Sequence, residues 1–396
     1  MGVRRATAVL GRYEPVAIVG GLWLVAKLLR YTFPALFPTL REAPAFSATL
    51  LGAAYTVMML LYALMQFPSG ALADTVEDVR VVAAGALVAA LGGGLFLLPA
   101  SVPVLVAGML LVGVGTGVHK TVSVSLLSRL YPERTGRALG TFDTLGTAGG
   151  VVAPLLVVAA LSSVGWPWLL VATGLAGALL TVALALRVPR GDAPTVGLAS
   201  AVRATDVRSY LPPFRRPRFL LFVAVTLCFA FAYNGVVAFL PLYLVESGLA
   251  AATASGLYSL LFAVSVVQVV SGDLADRLGT LRTSTLSLAV ATVGLAGLVV
   301  GAGDGRLVLG GAVVLLGVGS HGFRPVRGAY LAASFPDEVR GGGVGIARTL
   351  LMGVGAVSPT VVGAVADAVG YREAFLALAA AMAGGVVCAA AMVATE

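Results

Sequence analysis

The sequence predicts an all-α membrane protein of twelve transmembrane helices, arranged as two six-helix halves related by an internal repeat. The chain has 396 residues, of which 59% are apolar and only 11% are charged, well below the roughly one quarter expected of a soluble protein. Apolar runs of about 20 residues, the length that crosses a bilayer as a helix, recur along nearly the whole chain. These runs lack the strict alternation of a barrel strand, so helices are predicted to cross the membrane.

Proline, glycine and charge clusters mark the ends of the predicted spans. The first half is predicted to contain six spans, at residues 14–38, 47–70, 80–99, 103–130, 138–162 and 165–187. The second half is predicted to contain six more, at residues 218–244, 251–272, 282–302, 306–333, 341–367 and 372–394. The predicted domains are an N-terminal bundle, a cytoplasmic linker and a C-terminal bundle, at residues 1–187, 188–217 and 218–396.

The distribution of basic residues indicates the orientation in the membrane. With both termini in the cytoplasm, 17 of the 26 basic residues fall in cytoplasmic segments and three, Arg41, Arg306 and Arg372, fall in outer loops. Because cytoplasmic loops are enriched in Lys and Arg, this predicts a multi-pass protein of the plasma membrane with both termini cytoplasmic. The net charge of +8 is thereby explained without nucleic acid as a partner. The first apolar segment runs too long for a signal peptide and is predicted to be a retained span.

Two stretches of the second half repeat stretches of the first. Residues 113–133 align with residues 317–337 at an offset of 204 residues, and GALAD (70–74) aligns with GDLAD (272–276). The longer alignment pairs Gly113 with Gly317, Gly115 with Gly319, and Lys120 with Arg324. A six-plus-six parallel repeat is typical of transporters that bind substrate between two halves near the middle of the membrane.

With this repeat, the chain resembles the major facilitator superfamily over essentially its full length. The family signature between the second and third helices, roughly GxLaDrxGrR, is present as GDLADRLGTLR (272–282) and, in a degraded copy, as GALADTVEDVR (70–80). The resemblance implies that these copies hold one conformation closed. The predicted gating residues are Gly70, Asp74, Arg80, Gly272, Asp276, Arg277 and Arg282. In the first copy, Thr75 and Glu77 replace the Arg and Gly that usually follow the Asp.

A narrower resemblance concerns the first span. LLRYTFPALFPTL (28–40) is similar to the first helix of the organic-phosphate and related anion transporters of the superfamily. The resemblance implies that Arg30 contacts an anionic substrate. Those transporters place a second Arg on the seventh helix, whereas this chain has Tyr233 and Asn234 there, and these two residues are candidate substrate contacts.

Six cations lie inside predicted spans: Lys27, Arg30, Lys120, Arg324, Arg327 and Arg348. Each costs about 2.5–3.5 kcal/mol at the centre of a span, and Asp143 is the only carboxylate well inside one. The cations must therefore face water, a partner or a ligand. The resemblance implies that the first, fourth, seventh and tenth helices line a central cavity. Lys27, Arg30, Lys120, Arg324 and Arg327 are predicted to bind an anion there, with Arg30 and Arg324 as a clamp from opposite halves. For Arg348, pairing with a loop acid such as Asp74 is the alternative.

Three residues are candidates for proton coupling. Asp143 is predicted either to form a static ion pair or to take up a proton when an arriving anion removes its cation. His119 and His321 are candidates because histidine as a residue type titrates near physiological pH, although a lone His in a span is more often a hydrogen-bonded packing residue. Two histidines without neighbouring acids or thiolates do not make a metal site, so neither a metal nor a cofactor is predicted.

The predicted function is secondary active transport of a small anionic solute by alternating access, either proton-coupled or exchanging. A carboxylate, a phosphate or phosphonate compound, or an oxyanion fits the excess of cations. One alternative is a multidrug or antibiotic efflux antiporter, which is expected to carry acids in a largely apolar cavity. Another is a transport-inactive receptor or sensor on the same fold. Paired carboxylates and catalytic triads are missing, so an enzyme is not predicted. The expected partners are the substrate, protons and the lipid bilayer, with the protein a monomer.

Overall fold

The computed structural model of the chain describes residues 2–73, 76–190, 212–336 and 340–395. The first half contains α1 Gly2–Arg41, α2 Ala48–Ala73, α3 Asp78–Gly94, α4 Val102–Leu130, α5 Thr135–Leu161 and α6 Trp166–Arg187. The second contains α7 Pro217–Glu246, α8a Ala251–Ala263, α8b Val267–Leu278, α9 Thr280–Val300, α10 Arg306–Ala333, α11 Arg340–Ala368 and α12 Tyr371–Ala394. Asp74 and most of the predicted linker lie outside the described residues.

The predicted all-helical membrane fold is confirmed. The described residues contain twelve helical segments that are long and apolar enough to cross a membrane, and their ends lie close to the predicted ones. The eighth segment extends furthest beyond its predicted C-terminal end, because α8a and α8b are joined by a 3₁₀ turn at Val264–Val266 into one span that continues to Leu278. The signature residue Asp276 lies in the last turn of α8b.

The helices form two compact units. Unit 1 contains Met1–Phe33 and Val57–Thr205, and unit 2 contains Pro34–Thr56 and Asp206–Glu396. Inside unit 1, α3 packs against α4 and α6, and inside unit 2, α9 packs against α10 and α12. These are equivalent pairs in the predicted repeat, so the third helix of each six has the same two neighbours.

The repeated glycines explain this common packing. A side chain at Gly115 in α4 would meet the backbone of Gly85 and Ala89 in α3. At the equivalent Gly319 in α10, a side chain would meet the backbone of Ser287 and Ala291 in α9. Small residues allow transmembrane helices to approach this closely, and dispersion contacts and packing then hold them together.

We expect Gly319→Ala to destabilise unit 2. The added methyl group overlaps backbone atoms of α9 that cannot move without separating the two helices, and overpacking of this kind costs about 1–3 kcal/mol. Gly311 is the matched control, because it lies in the same helix and a side chain there has no neighbouring atom within 4 Å. Thermal unfolding of the purified variants should show a lower midpoint for Gly319→Ala alone. Equal midpoints would contradict this account of the repeat.

The segment Pro34–Thr56 is held within unit 2 by polar contacts to α11. The Asp367 carboxylate accepts hydrogen bonds from the backbone N–H groups of Ala48 (3.2 Å) and Thr49 (2.7 Å), and from the Thr49 hydroxyl (2.8 Å). These are unpaired donors at the start of α2, where a carboxylate acts as a helix cap. Two turns further along, the Thr360 hydroxyl donates to the Thr56 hydroxyl at 2.8 Å.

Candidate functional site

In unit 1, three cations converge on the indole ring of Trp23. The Lys27 Nζ, the Arg30 guanidinium carbon and the Lys120 Nζ lie 5.0, 5.6 and 5.8 Å from the ring centroid. These distances are within the range of cation–π attraction. The Phe142 ring stacks on the Trp23 ring, with the two ring centroids 5.6 Å apart. We call Trp23, Lys27, Arg30, Lys120 and Phe142 the Trp23 cluster.

Helix geometry explains how α1 contributes three members of the Trp23 cluster. Residues separated by three or four positions share one face of a helix, and Trp23, Lys27 and Arg30 have that spacing. Tyr31 is four residues beyond Lys27 and accepts a hydrogen bond from its ammonium group at 3.2 Å. The predicted common face of Lys27 and Arg30 is therefore present, and aromatic rings cover it.

Arg30 is the most deeply buried cation of the cluster. It is only 3% exposed, and its guanidinium lies 4.0 Å from the centroid of the Tyr62 ring. Tyr62 comes from α2 and is itself buried. The rings of Trp23 and Tyr62 therefore hold the guanidinium in place inside unit 1, while Lys27 and Lys120 remain partly exposed.

The carboxylate of Asp143 forms an ion pair with Lys120, across the contact between α4 and α5. The Asp143 side chain is 58% exposed and that of Lys120 is 24% exposed. The prediction treated Asp143 as an acid inside a span; the structure places it on α5 with an accessible carboxylate. An anion arriving at Lys120 would compete directly with this carboxylate.

His119 occupies a different position from the charged cluster. It is 2% exposed and lines a small cavity between α1, α3, α4 and α6, together with Leu29, Ala86 and Gly177. Within the described residues, its Nδ1 atom has no hydrogen-bond partner. The surroundings are apolar apart from the imidazole, and this cavity holds no second titratable side chain among its lining residues.

Unit 2 contains an equivalent arrangement of cations on aromatic rings. The Arg324 guanidinium carbon lies 4.6 Å from the centroid of Tyr233, and that of Arg327 lies 5.7 Å from the centroid of Phe229. The Phe229 and Tyr233 rings are stacked, with centroids 5.5 Å apart. Lys120 and Arg324 are equivalent in the repeat. Lys120 lies over the ring of Trp23 in α1, and Arg324 lies over the ring of Tyr233 in α7. Arg348, the sixth predicted cation, is exposed on α11.

Two other predicted residues of unit 2 have local hydrogen-bond partners. The Asn234 amide donates to the backbone oxygen of Ala230, one turn earlier, at 2.8 Å. The buried His321 ring lies with Nε2 3.0 Å from the backbone oxygen of Leu261, and this nitrogen therefore acts as the donor. This hydrogen bond joins α10 to α8a.

The two copies of the signature share an unusual backbone conformation. Glu77 has φ 146° and ψ 134°, and the repeat-equivalent Gly279 has φ 88° and ψ 154°. Positive φ is strained for residues other than glycine, which explains why the family pattern has Gly at this position. Glu77 keeps that conformation despite its side chain, which is buried and pairs with Arg80 at 3.1 Å.

Next to Glu77, Asp78 forms the most complete ion pair of unit 1. The Arg129 Nε donates to one oxygen of this carboxylate at 3.0 Å, and Nη2 donates to the other at 2.9 Å. Such two-pronged pairs are stronger than single contacts. The start of α3 is thereby tied to the end of α4. Sequence reasoning missed Asp78, because its partner lies 51 residues away.

The other described signature residues lie within helices. Gly70 lies in α2, where a side chain would make only ordinary contact with Thr121, and Gly272 lies in α8b with open space beside it. Asp276, Arg277 and Arg282 of the second copy are exposed. No ion pair forms between them in the described part of the chain.

The described residues contain no group of three or more His, Cys, Asp or Glu side chains that could hold a metal ion. The charged groups that the structure does bring together are cations over aromatic rings. Such an arrangement offers N–H donors and positive charge at fixed positions, which are the features that binding of a negatively charged molecule requires.

Comparisons with known proteins agree with the fold. The sequence profile of the Major Facilitator Superfamily matches residues 22–320. The MFS-type transporter pytF of Aspergillus terreus is 30% identical over 183 residues, which cover 44% of this chain and 58% of that protein. The putative niacin/nicotinamide transporter NiaP of Bacillus subtilis is 25% identical over 311 residues, which cover 76% of this chain and 75% of that protein. The chain thus spans little more than half the length of the fungal relative.

A solved structure with the same fold is that of a bacterial homolog of the human lysosomal transporter Spinster. The TM-score is 0.79 at 16% sequence identity, and the match covers 97% of this chain and 98% of that one. At this identity the likeness is one of fold alone.

Proposed function

Because the chain belongs to the Major Facilitator Superfamily, and is therefore a membrane transporter rather than an enzyme, we propose that it carries a small anionic solute by alternating access. The solute class is a carboxylate, a phosphate or phosphonate compound, or an oxyanion. The binding groups of unit 1 are the cations of the Trp23 cluster.

The observation that carries this proposal is the charge of the Trp23 cluster. Three cations surround one ring, and one of them, Lys120, pairs with the carboxylate of Asp143. Three cations at membrane depth cost roughly 8–10 kcal/mol on insertion scales, which is comparable to the net stability of a whole fold. Cation–π contacts offset part of this cost. A bound anion offsets more, because it adds a full negative charge beside these positive ones.

The members of the cluster would have different roles. Lys27 and Lys120 are partly exposed and form the rim that an anion meets first. The buried Arg30 forms the floor, where its planar guanidinium can donate two parallel hydrogen bonds to a carboxylate or phosphate. In unit 2, Arg324 over Tyr233 is the equivalent candidate contact. Tyr233 itself, with Arg327 and Asn234, completes the proposed substrate contacts of that unit.

The name of the relative NiaP indicates which anion should be tested first. Its name refers to niacin, a pyridine carboxylate that is an anion at neutral pH, and to nicotinamide, the neutral amide of the same ring. Niacin belongs to the proposed solute class, and nicotinamide does not. The two compounds therefore form a pair that differs mainly in charge.

We further propose how transport is coupled to protons and how the transporter is gated. An anion that binds Lys120 displaces Asp143, and the released carboxylate takes up a proton that is carried with the substrate. The first signature copy then acts in gating through Glu77, Asp78 and Arg129, the residues that make its ion pairs. Both termini are proposed to lie in the cytoplasm of a plasma-membrane protein, as the basic residues predict.

The test is a thermal-shift screen with matched charged and neutral ligands. Nicotinate, benzoate, glycerol phosphate and inorganic phosphate are compared with nicotinamide, benzamide and glycerol. A ligand at about 100 times its dissociation constant stabilises the folded state by about 2.7 kcal/mol. We expect at least one anion to raise the unfolding midpoint while its neutral partner does not. Stabilisation by neutral or cationic lipophilic compounds alone would instead support a drug exporter.

A further inference from the structure

The end of unit 1 where α1 enters the membrane carries a second cationic site, separate from the Trp23 cluster. A shallow recess with a cavity volume of about 20 Å³ lies between α1 and the connection between α4 and α5. Its lining includes Tyr13, Tyr131, Arg134 and Arg137, with Val16 at its inner side. A recess of this size holds little more than one water molecule, so a larger ligand must bind across its opening.

The charge of this cavity is available for binding. Nearby arginines are engaged, since Arg129 pairs with Asp78 at 2.9 Å and Arg187 pairs with Glu14 at 3.5 Å. Arg134 and Arg137 are exposed, and neither forms an ion pair with any residue that the structure describes. The Arg137 guanidinium lies 5.6 Å from the Tyr13 ring, which orients it across the cavity. Two guanidinium groups at one opening favour a phosphate group.

The position in the chain determines the source of that phosphate. Tyr13 is the first residue of the first span, and Tyr131 lies between the fourth and fifth spans, so the cavity lies at the boundary between apolar and polar regions. Tyrosine and arginine are enriched at this depth, where lipid headgroups lie. Val16 and Ala138, which lie further into their helices, make the inner wall apolar. A free phosphate contacts only the polar opening of the recess, whereas a phospholipid bound there by its headgroup also places its acyl chains on the apolar side of this boundary.

We propose that Arg134, Arg137, Tyr13 and Tyr131 form a binding site for the headgroup of an anionic phospholipid. The guanidinium groups bind the phosphate, and the tyrosine rings contact the glycerol. Clusters of basic residues at the ends of transmembrane helices attract anionic lipids in this way. The site joins α1 to the start of α5, the helix that carries Asp143. Occupancy therefore stabilises the α1–α5 contact.

The test uses the full-length protein in detergent, with phosphatidylglycerol, phosphatidylcholine and inorganic phosphate as separate probes. Binding is followed by native mass spectrometry and by the unfolding midpoint. Arg134→Gln/Arg137→Gln removes both guanidinium groups. Arg215→Gln/Arg216→Gln, which removes two exposed arginines of unit 2, is the matched control. We expect phosphatidylglycerol to bind at least tenfold more tightly than phosphatidylcholine, and the first variant to lose about tenfold per arginine.

Each outcome decides the proposal. Equal binding of the two lipids by the unaltered protein overturns it, as does a loss of the same size in both double variants. An equal stabilisation by inorganic phosphate assigns the cavity to a free anion and overturns the lipid site. If the glutamine variant does not fold, Arg134→Lys/Arg137→Lys replaces it. That variant keeps the charge and loses the planar fork, so it should retain the lipid preference with weaker binding.

Discussion

Arg30→Gln is expected to abolish binding of the anion while the protein inserts, folds and keeps its twelve spans. A desolvated ion pair that loses one partner costs about 2–5 kcal/mol, which corresponds to a loss of affinity of roughly 30-fold to several thousandfold. Arg30 qualifies because it is only 3% exposed, and water cannot replace the lost guanidinium there. The measurement is the anion-induced thermal shift, repeated for the variant over a range of concentrations.

Two further substitutions separate charge from geometry at this position. Arg30→Lys keeps the charge but loses the planar fork, so it should recover only part of the affinity. Lys27→Gln removes a partly exposed cation from the same face of α1 and should cost less. If Arg30→Gln binds the anion normally, then Arg30 is a structural residue of unit 1 and the proposed site is wrong.

Substitutions of Tyr62 test independently whether the position of the Arg30 guanidinium matters for anion binding. The Arg30 guanidinium lies 4.0 Å from its centroid, and desolvated cation–π contacts are worth about 2 kcal/mol. Tyr62→Phe keeps the ring and should leave anion binding unchanged. Tyr62→Leu should weaken binding, because the guanidinium loses the surface that holds it in position. Tyr62 is thus a positioning residue, since it acts through Arg30.

The membrane spans could be predicted from the sequence because few backbone structures are stable in a bilayer, and these apolar runs lack the alternation of barrel strands. Every backbone polar group in the membrane must be satisfied within its helix, so each apolar run of sufficient length becomes a helix. The equivalence of the repeated glycines could also be recognised from the sequence, and Gly115 and Gly319 allow the same close helix contact in both units. The eighth span was misplaced at its end, because the polar signature GDLADRL continues the helix to Leu278 after the apolar run has ended.

The candidate site was only partly predictable. Lys27 and Arg30 stand out as cations in an apolar run, and the helical spacing of Trp23 and Tyr31 around Lys27 was an available signal that sequence reasoning did not use. Tyr62 and Phe142 come from α2 and α5 and gave no local signal. Their contacts depend on how the helices pack, which a single sequence does not specify.

The first, degraded copy of the signature was also only partly predictable from the sequence. Glu77 was read as a departure from the family pattern, and Asp78 was not considered. The structure shows that Glu77 keeps the positive φ of the glycine at the equivalent position, and that Asp78 has acquired a strong partner in Arg129. Backbone strain and a partner 51 residues away cannot be read from a motif.

Asp143→Asn is expected to leave substrate exchange intact and to abolish accumulation driven by a proton gradient. In the proposed cycle, the arriving anion takes Lys120 away from Asp143, and the released carboxylate takes up a proton. Asparagine resembles the protonated acid but cannot release a proton. The variant should therefore bind the anion and move it in both directions, while its distribution no longer responds to the pH difference across the membrane.

Proteoliposomes loaded with the anion that gives the largest thermal shift allow both processes to be measured on one preparation. Exchange is followed with labelled anion at equal pH, and accumulation is followed after an inward proton gradient is imposed. Asp304→Asn is the matched control, because it removes an exposed carboxylate from the loop before α10. If Asp143 is only a static partner of Lys120, its asparagine variant should unfold at a lower temperature and keep the pH dependence of transport. Normal accumulation by a stable Asp143→Asn protein would reject both roles, and would show that the ion pair with Lys120 is dispensable.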